Sequence, residues 1–210
     1  RRMGTIPAQE RWRSRLPHWE MEGHWHFITI RCEGSLPEEA RQKLQRIYQS
    51  MQLVDARSDQ FHALQRRYFF TTEKYLDTTN GFSPFSQEAA CERCLDAFLA
   101  MEDEGWSVGE ATVMPNHIHL LIIRQKYNFS LKQILKRFKG RSSRWINQEL
   151  DRSGRFWQED WFDRWMRNHD ELRKTVAYIR NNPVKANLVK QWSDYPWRIS
   201  RSSNEIDSLP

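Results

Sequence analysis

The chain has 210 residues, a net charge of +6 and a mean hydropathy of −0.85. One domain over 1–200 with a frayed polar tail at 201–210 fits that length, and the basic balance favours a polyanionic partner. The longest apolar runs, near Phe27–Ile30 and Leu120–Ile123, are far too short to cross a bilayer, no signal-like apolar stretch follows Arg1 and Arg2, and three cysteines suit a reducing cytoplasm better than a disulfide framework.

In chain order, His24–Arg31 is rich in aromatic and β-branched residues and reads as a strand. Ser35-Leu-Pro-Glu38 reads as a capping box, opening a helix with Leu36, Ala40, Leu44, Ile47, Met51 and Val54 at helical spacing. Residues 58–85 are less regular and end in loop chemistry at Thr78–Pro84; no role is assigned to them. A helix is expected from Ser86 to Glu104, stopped by Gly105. Its Cys91-x-x-Cys94 is half a zinc motif without a second pair, so both cysteines read as small buried residues.

Trp106–Thr112 and His117–Ile123 read as paired strands around a tight Met-Pro-Asn link. Ser130-Leu-Lys-Gln133 is a second capping box, for a helix reaching Leu150 and weakened by Gly140. A tryptophan-rich stretch, Phe156–Trp165, follows. The last helix is capped near Asn168 and ended by Pro183. This order points to an α+β sheet with helices packed on it.

Three groups could carry chemistry. His117 and His119 alternate around Ile118, so in a strand both point the same way, roughly 7 Å apart, within reach of one metal ion. Taken alone, such a pair suits two half-buried polar residues better than a metal site. Tyr178 lies beside the apolar stripe Leu172, Val176 and Ile179, with Asn182 one turn later on the same face. A tyrosine hydroxyl is a nucleophile competent to form a phosphodiester, and Asn182 offers an oxygen ligand; a core-edge tyrosine is the plainer reading. Lys132, Lys136 and Lys139 form one basic stripe of the Ser130–Leu150 helix, and Arg137, Arg141 and Arg144 a second. That face suits a phosphate-tracking surface or an ordinary solvated one. Trp157, Trp161 and Trp165, at spacing of four, suit core packing or base stacking.

Met114–Ile122, Phe156-Trp-Gln158 with Phe162-Asp-Arg164, and Ala177–Val189 together resemble REP-associated tyrosine transposases, relatives of the IS200/IS605 single-tyrosine transposases in the HUH nuclease superfamily. Arg15–Glu20 with Phe27–Thr29 is similar to the start of that group, and the resemblance covers roughly residues 11–200. It implies a ferredoxin-like antiparallel sheet of the HUH-endonuclease type. It implies His117, His119 and Asn182 as ligands of Mg²⁺ or Mn²⁺ and Tyr178 as nucleophile. The implied reaction is cleavage and rejoining of single-stranded DNA hairpins through a 5′-phosphotyrosine, by a monomer or homodimer in the cytoplasm. Asn187 stands where the family often has Gly, and Asn tolerates the left-handed conformation.

Two other classes remain open. One is a non-catalytic single-stranded nucleic-acid-binding module. The other is a metal-independent phosphoesterase, which would need a second His-x-Ser/Thr motif on a matching strand; His24-Trp-His26 is the only other histidine pair, and nothing around it matches the first.

Overall fold

The computed structural model describes residues 10–13, 17–78, 81–202 and 206. Strands β1 (Glu10–Arg13) and β2 (Pro17–Glu20) pair as a separate ribbon. The main antiparallel sheet contains β3 (His26–Arg31), β4 (Trp106–Met114), β5 (His117–Arg124), β6 (Phe162–Trp165) and β7 (Arg198–Ser200), in the order β6-β3-β5-β4-β7. The helices are α1 (Glu38–Gln52), α2 (Asp59–Thr78), α3 (Glu88–Asp103), α4 (Leu131–Glu149) and α5 (His169–Lys185). The succession β3-α3-β4-β5-α4-β6 is the βαββαβ arrangement of a ferredoxin-like core, with α1 and α2 inserted before α3.

The central strand β5 is buried on both sides, which explains its nearly unbroken apolar run. Ile118, Leu120 and Ile122 enter the larger core beneath α3 and α4, where the rings of Phe98 and Phe138 stack at 5.2 Å. Leu121 and Ile123 enter a smaller cluster with Phe27, Phe69, Leu172 and Ile179, so α5 and the middle of α2 cover the opposite face. At the β4 irregularity between Val108 and Glu110, a Cβ on Gly109 would come within 2.7 Å of the Trp25 ring; the missing side chain is what admits the tryptophan.

Several boundaries follow from identifiable bonds. Ser130 caps α4 reciprocally with Gln133, as its spacing predicts. Gly105 ends α3 at φ +89°. Ser35 does not cap α1: it is buried, Pro37 occupies the N-cap position without a side-chain cap bond, and the helix begins at Glu38.

Two expectations are corrected. The irregular reading of 58–85 fails, because Asp59–Thr78 is a 20-residue helix. Ser58 Oγ accepts the Phe61 amide at its start, and its buried residues are Phe61, Phe69, Thr72, Glu73 and Leu76. Two of those five are polar, which erased the apolar stripe from the sequence. Pro183 does not end α5, which continues to Lys185. A proline cannot bond the carbonyl four residues back; here that carbonyl, Ile179 O, accepts the Thr112 hydroxyl at 3.4 Å instead. The helix ends into Asn187, at φ +56°.

Cys32, Cys91 and Cys94 are buried free thiols. No helix among the described residues is long and apolar enough to cross a membrane. Of the 201–210 tail, Arg201 bonds the Val108 carbonyl at 2.9 Å and Ile206 packs, buried, beside Trp25; residues 203–205 and 207–210 lie outside the described residues. Residues 14–16, the last two of them in the Arg15–Glu20 motif, also lie outside them.

Candidate active site

His117 and His119 reach the same face of β5 by strand alternation, with Thr29 of β3 and Thr112 of β4 beside His119 in register. Both rings are buried, and their Nε2 atoms stand 3.1 Å apart. Each Nδ1 has its own partner. His117 Nδ1 lies 2.7 Å from Asn116 Oδ1, and His119 Nδ1 lies 2.9 Å from Thr29 Oγ1. An Nδ1–H donated to those oxygens would free both Nε2 atoms to ligate one metal ion, the tautomer a metal needs. Asn116 also donates its Nδ2 to Leu76 O at 3.0 Å, which ties this histidine partner to α2.

The third member is Glu73, on α2. Its Oε2 lies 3.2 Å from His119 Nε2. Glu73, His117 and His119 present ligand atoms all within 4.8 Å of one another, and all three are buried. Burial raises the Glu73 carboxyl, but the charge and hydrogen bond of His119 outweigh it and hold the carboxyl down at about 2. Burial pushes His117 down to about 3, so it is neutral at physiological pH.

Tyr178 of α5 donates its hydroxyl to Glu73 Oε2. Burial, followed by the Glu73 charge and hydrogen bond, raises its pKa far above the usual tyrosine value, so the phenol is held protonated. Its ring lies 5.5 Å from that of His119, and both meet Phe27, which stacks on His119 at 5.7 Å and meets Tyr178 edge-on at 5.9 Å. Arg180, two residues on, pairs with buried Glu110 of β4 and bonds Ser200, so α5 is locked across the sheet next to its tyrosine. Asn182 is buried, with Nδ2 donating to Tyr178 O at 2.8 Å and Oδ1 left without a donor.

Two buried acceptors are therefore unsatisfied here, Asn182 Oδ1 and Glu73 Oε1. Two imidazole nitrogens and an ionised carboxylate converge here. That composition fits a divalent cation, and imidazole with carboxylate suits Mn²⁺ at least as well as Mg²⁺.

The structure brings together His117, His119 and Tyr178, with Asn182 one turn from the tyrosine; it does not bring the basic stripes of α4 to them. α4 packs on the far face of the sheet. Arg137 and Arg141 both pair with Glu104, each at 2.5 Å. Lys139 Nζ donates to the carbonyls of Gln158 and Glu159, and burial lowers it to about 8. Lys132, Lys136 and Arg144 are exposed on that helix. His26, in register with Ile122, belongs to the opposite face, so the two histidine pairs do not share a site. The three spaced tryptophans do not share a helix face either: Trp157 is core, while Trp165 lies on β6.

Sequence reasoning missed Glu73. The available signal was a Ser58 cap followed by Phe61, Phe69 and Leu76 at helical spacing, which places Glu73 on the buried side.

The IS200-like transposase family matches residues 86–182, a stretch that includes His117, His119, Tyr178 and Asn182 but not Glu73. A solved structure of a REP-associated tyrosine transposase bound to a REP hairpin is similar in fold, with TM-score 0.50 and 16% identity over 89% of this chain and 82% of that one. No curated protein matches.

Proposed function

We propose, from a chain whose residues 86–182 are of the IS200-like transposase family, that this protein cleaves and rejoins single-stranded DNA at REP-type hairpins through a covalent phosphotyrosine. The observation that carries the reading is the meeting of Tyr178 with the convergent Nε2 atoms of His117 and His119 across a shared carboxylate, Glu73. A structural tyrosine has no need of two converging imidazoles and two unsatisfied acceptors.

Glu73, His117 and His119 would hold a divalent metal, Mn²⁺ or Mg²⁺, with Asn182 Oδ1 as a further oxygen donor. Such an ion supplies Lewis-acid polarisation of a phosphodiester oxygen. Tyr178 Oη attacks phosphorus; the new O–P bond replaces the bond to the 3′ oxygen, which leaves as a 3′-OH, and the 5′ side stays on the tyrosine. The phenolic proton must leave as Oη attacks, and Glu73 Oε2 is the acceptor already in contact with it. Attack of a 3′-OH on the phosphotyrosine reverses the exchange, so the bond energy is retained and no nucleotide cofactor is consumed. Phe27, packed against both His119 and Tyr178, fixes their relative orientation and keeps that wall of the site dry.

The test is incubation with an end-labelled single-stranded hairpin and Mn²⁺, followed by denaturing electrophoresis. Wild type is expected to give a DNA-linked protein band, absent in chelator. No band from wild type overturns the enzyme; an undiminished band from Tyr178→Phe overturns the nucleophile.

A further inference from the structure

The surface next to Tyr178 that could receive nucleic acid is not α4. It is a groove of about 310 Å³ between α2, β6 and the start of α5, with Tyr178 in its wall. Phe70 stands at its lip, 60% exposed, against Phe69 at 5.4 Å. A phenylalanine so exposed beside a cavity is available to stack on a planar ligand. Phe162 and Trp165 line the β6 side.

The cations of the groove divide into two sets. Arg164 is paired with Glu171 at 2.6 Å, and the groove's Asp163 is taken up by His18. Arg66, Arg167 and Lys174 are exposed and have no carboxylate partner among the described residues. Asp59 is the remaining acid of the wall. Aromatic faces and unpaired cations in one concave strip match a single nucleic-acid strand, whose bases are free to stack and whose phosphates need neutralising. A duplex hides its base faces and cannot use Phe70.

We infer that this groove binds the unpaired DNA strand next to the cleaved phosphate, with bases on Phe70 and Trp165 and phosphates on Arg66, Arg167 and Lys174. The inference deepens the proposed transposase function and rests on it for the strand's identity. Arg66 and Phe70 lie on α2, outside the 86–182 match, so two of the five residues of the track belong to the inserted helix. The helix that carries Glu73 into the site would also carry the strand to the nucleophile.

Binding is measured by fluorescence anisotropy, with full-length Tyr178→Phe in chelator and a fluorescein-labelled twelve-nucleotide oligo(dT), so that no cleavage intervenes. Phe70→Ala is expected to weaken binding roughly five- to hundredfold, the range for loss of a stacked base. Phe70→Trp is expected to retain binding and to show more quenching of tryptophan emission on adding the oligonucleotide than the parent, whose own tryptophans include Trp165, a difference that a structural role would not produce. Arg66→Glu with Lys174→Glu is expected to flatten the plot of log affinity against log salt by about 0.7 per lost phosphate contact. Lys136→Glu with Arg144→Glu, on α4, is expected to change little.

The inference is overturned if the groove variants bind as the parent does, if the α4 variant loses as much, or if poly-glutamate competes as well as oligo(dT) at equal charge. The covalent-adduct assay is read separately with wild type. Adduct without groove dependence overturns the groove alone; groove binding without adduct overturns the enzyme alone.

Discussion

On one side of β5, Ile118, Leu120 and Ile122 vanish into an apolar core closed by α3 and α4. On the other, the same strand presents His117 and His119 to Glu73 and Tyr178, brought by α2 and α5. The first side is a packing problem solved with aliphatic volume. The second holds ionised and neutral polar groups out of water, which is costly unless each is paired or serves a ligand. Mutations on the first side should therefore change stability and leave chemistry alone; those on the second should do the reverse.

The largest effect tests this division from the active side. Tyr178→Phe is expected to abolish the DNA adduct; loss of a covalent nucleophile costs on the order of 10⁶ in turnover. The same change removes one hydroxyl donor to Glu73 and should move stability by only about 1 kcal/mol, because His119 still meets the carboxylate. Denaturant melts alongside the gel assay decide it, and a melt that collapses would break the comparison.

Phe138→Ala is the counterpart. Phe138 is fully buried and stacked on Phe98. The cavity should cost about 3–5 kcal/mol. Mn²⁺ affinity of the folded fraction should be unchanged, and a parallel loss of affinity would show that the two faces are mechanically coupled.

His18 lies at the boundary, where β2 meets β6. It is fully buried, its Nε2 2.9 Å from Asp160 and its Nδ1 bonded to Asp163. Burial opposes its charge, yet the two carboxylates overcome this and raise its pKa from 6.5 to about 9. A folded pKa above the unfolded one means stability fully present below about pH 6.5 and lost as pH rises through about 9. His18→Ala leaves two buried acids unpaired and should cost about 3–5 kcal/mol at pH 6. The gap to wild type, followed by denaturant melts, should shrink steadily between pH 6.5 and 9; a gap that is flat with pH would show that His18 is not charged in the folded protein.

How much was readable follows the same division. The far face could be read because its helices obey their periods: Ser130 with Gln133 and Leu131, Ile134, Leu135 and Phe138 announce α4, and β5 announces itself by length and aliphatic content. On the near face His117, His119, Tyr178 and Asn182 were legible, since strand alternation and helical spacing place them. Glu73 was not. On α2, Thr72 and Glu73 are buried where a packing helix would place aliphatic residues, and those two polar residues disguised the helix. Pro183 misled for a related reason: its disruption is relieved by Thr112, from a strand some 70 residues earlier. The basic stripes on α4 were real spacings, but sequence does not say which face of the sheet a helix covers.

The smallest effect bears on how finely the near face is set. Thr29 Oγ1, 2.9 Å from His119 Nδ1, touches neither a ligand position nor the tyrosine. Thr29→Val keeps the shape of the side chain and removes the acceptor that fixes which nitrogen of His119 carries the proton. Loss of such a partner typically lowers metal affinity 10- to 100-fold. A metal at a hundred times its Kd stabilises a wild-type fold by about 2.7 kcal/mol. The variant should lose about 1.3–2.3 kcal/mol of that increment at the same Mn²⁺ concentration, while its metal-free stability falls by no more than about 1.5 kcal/mol. Thermal melts with and without Mn²⁺ separate the two quantities. If Thr29→Val keeps the full Mn²⁺ increment, the threonine does not set the tautomer and belongs with the packing residues.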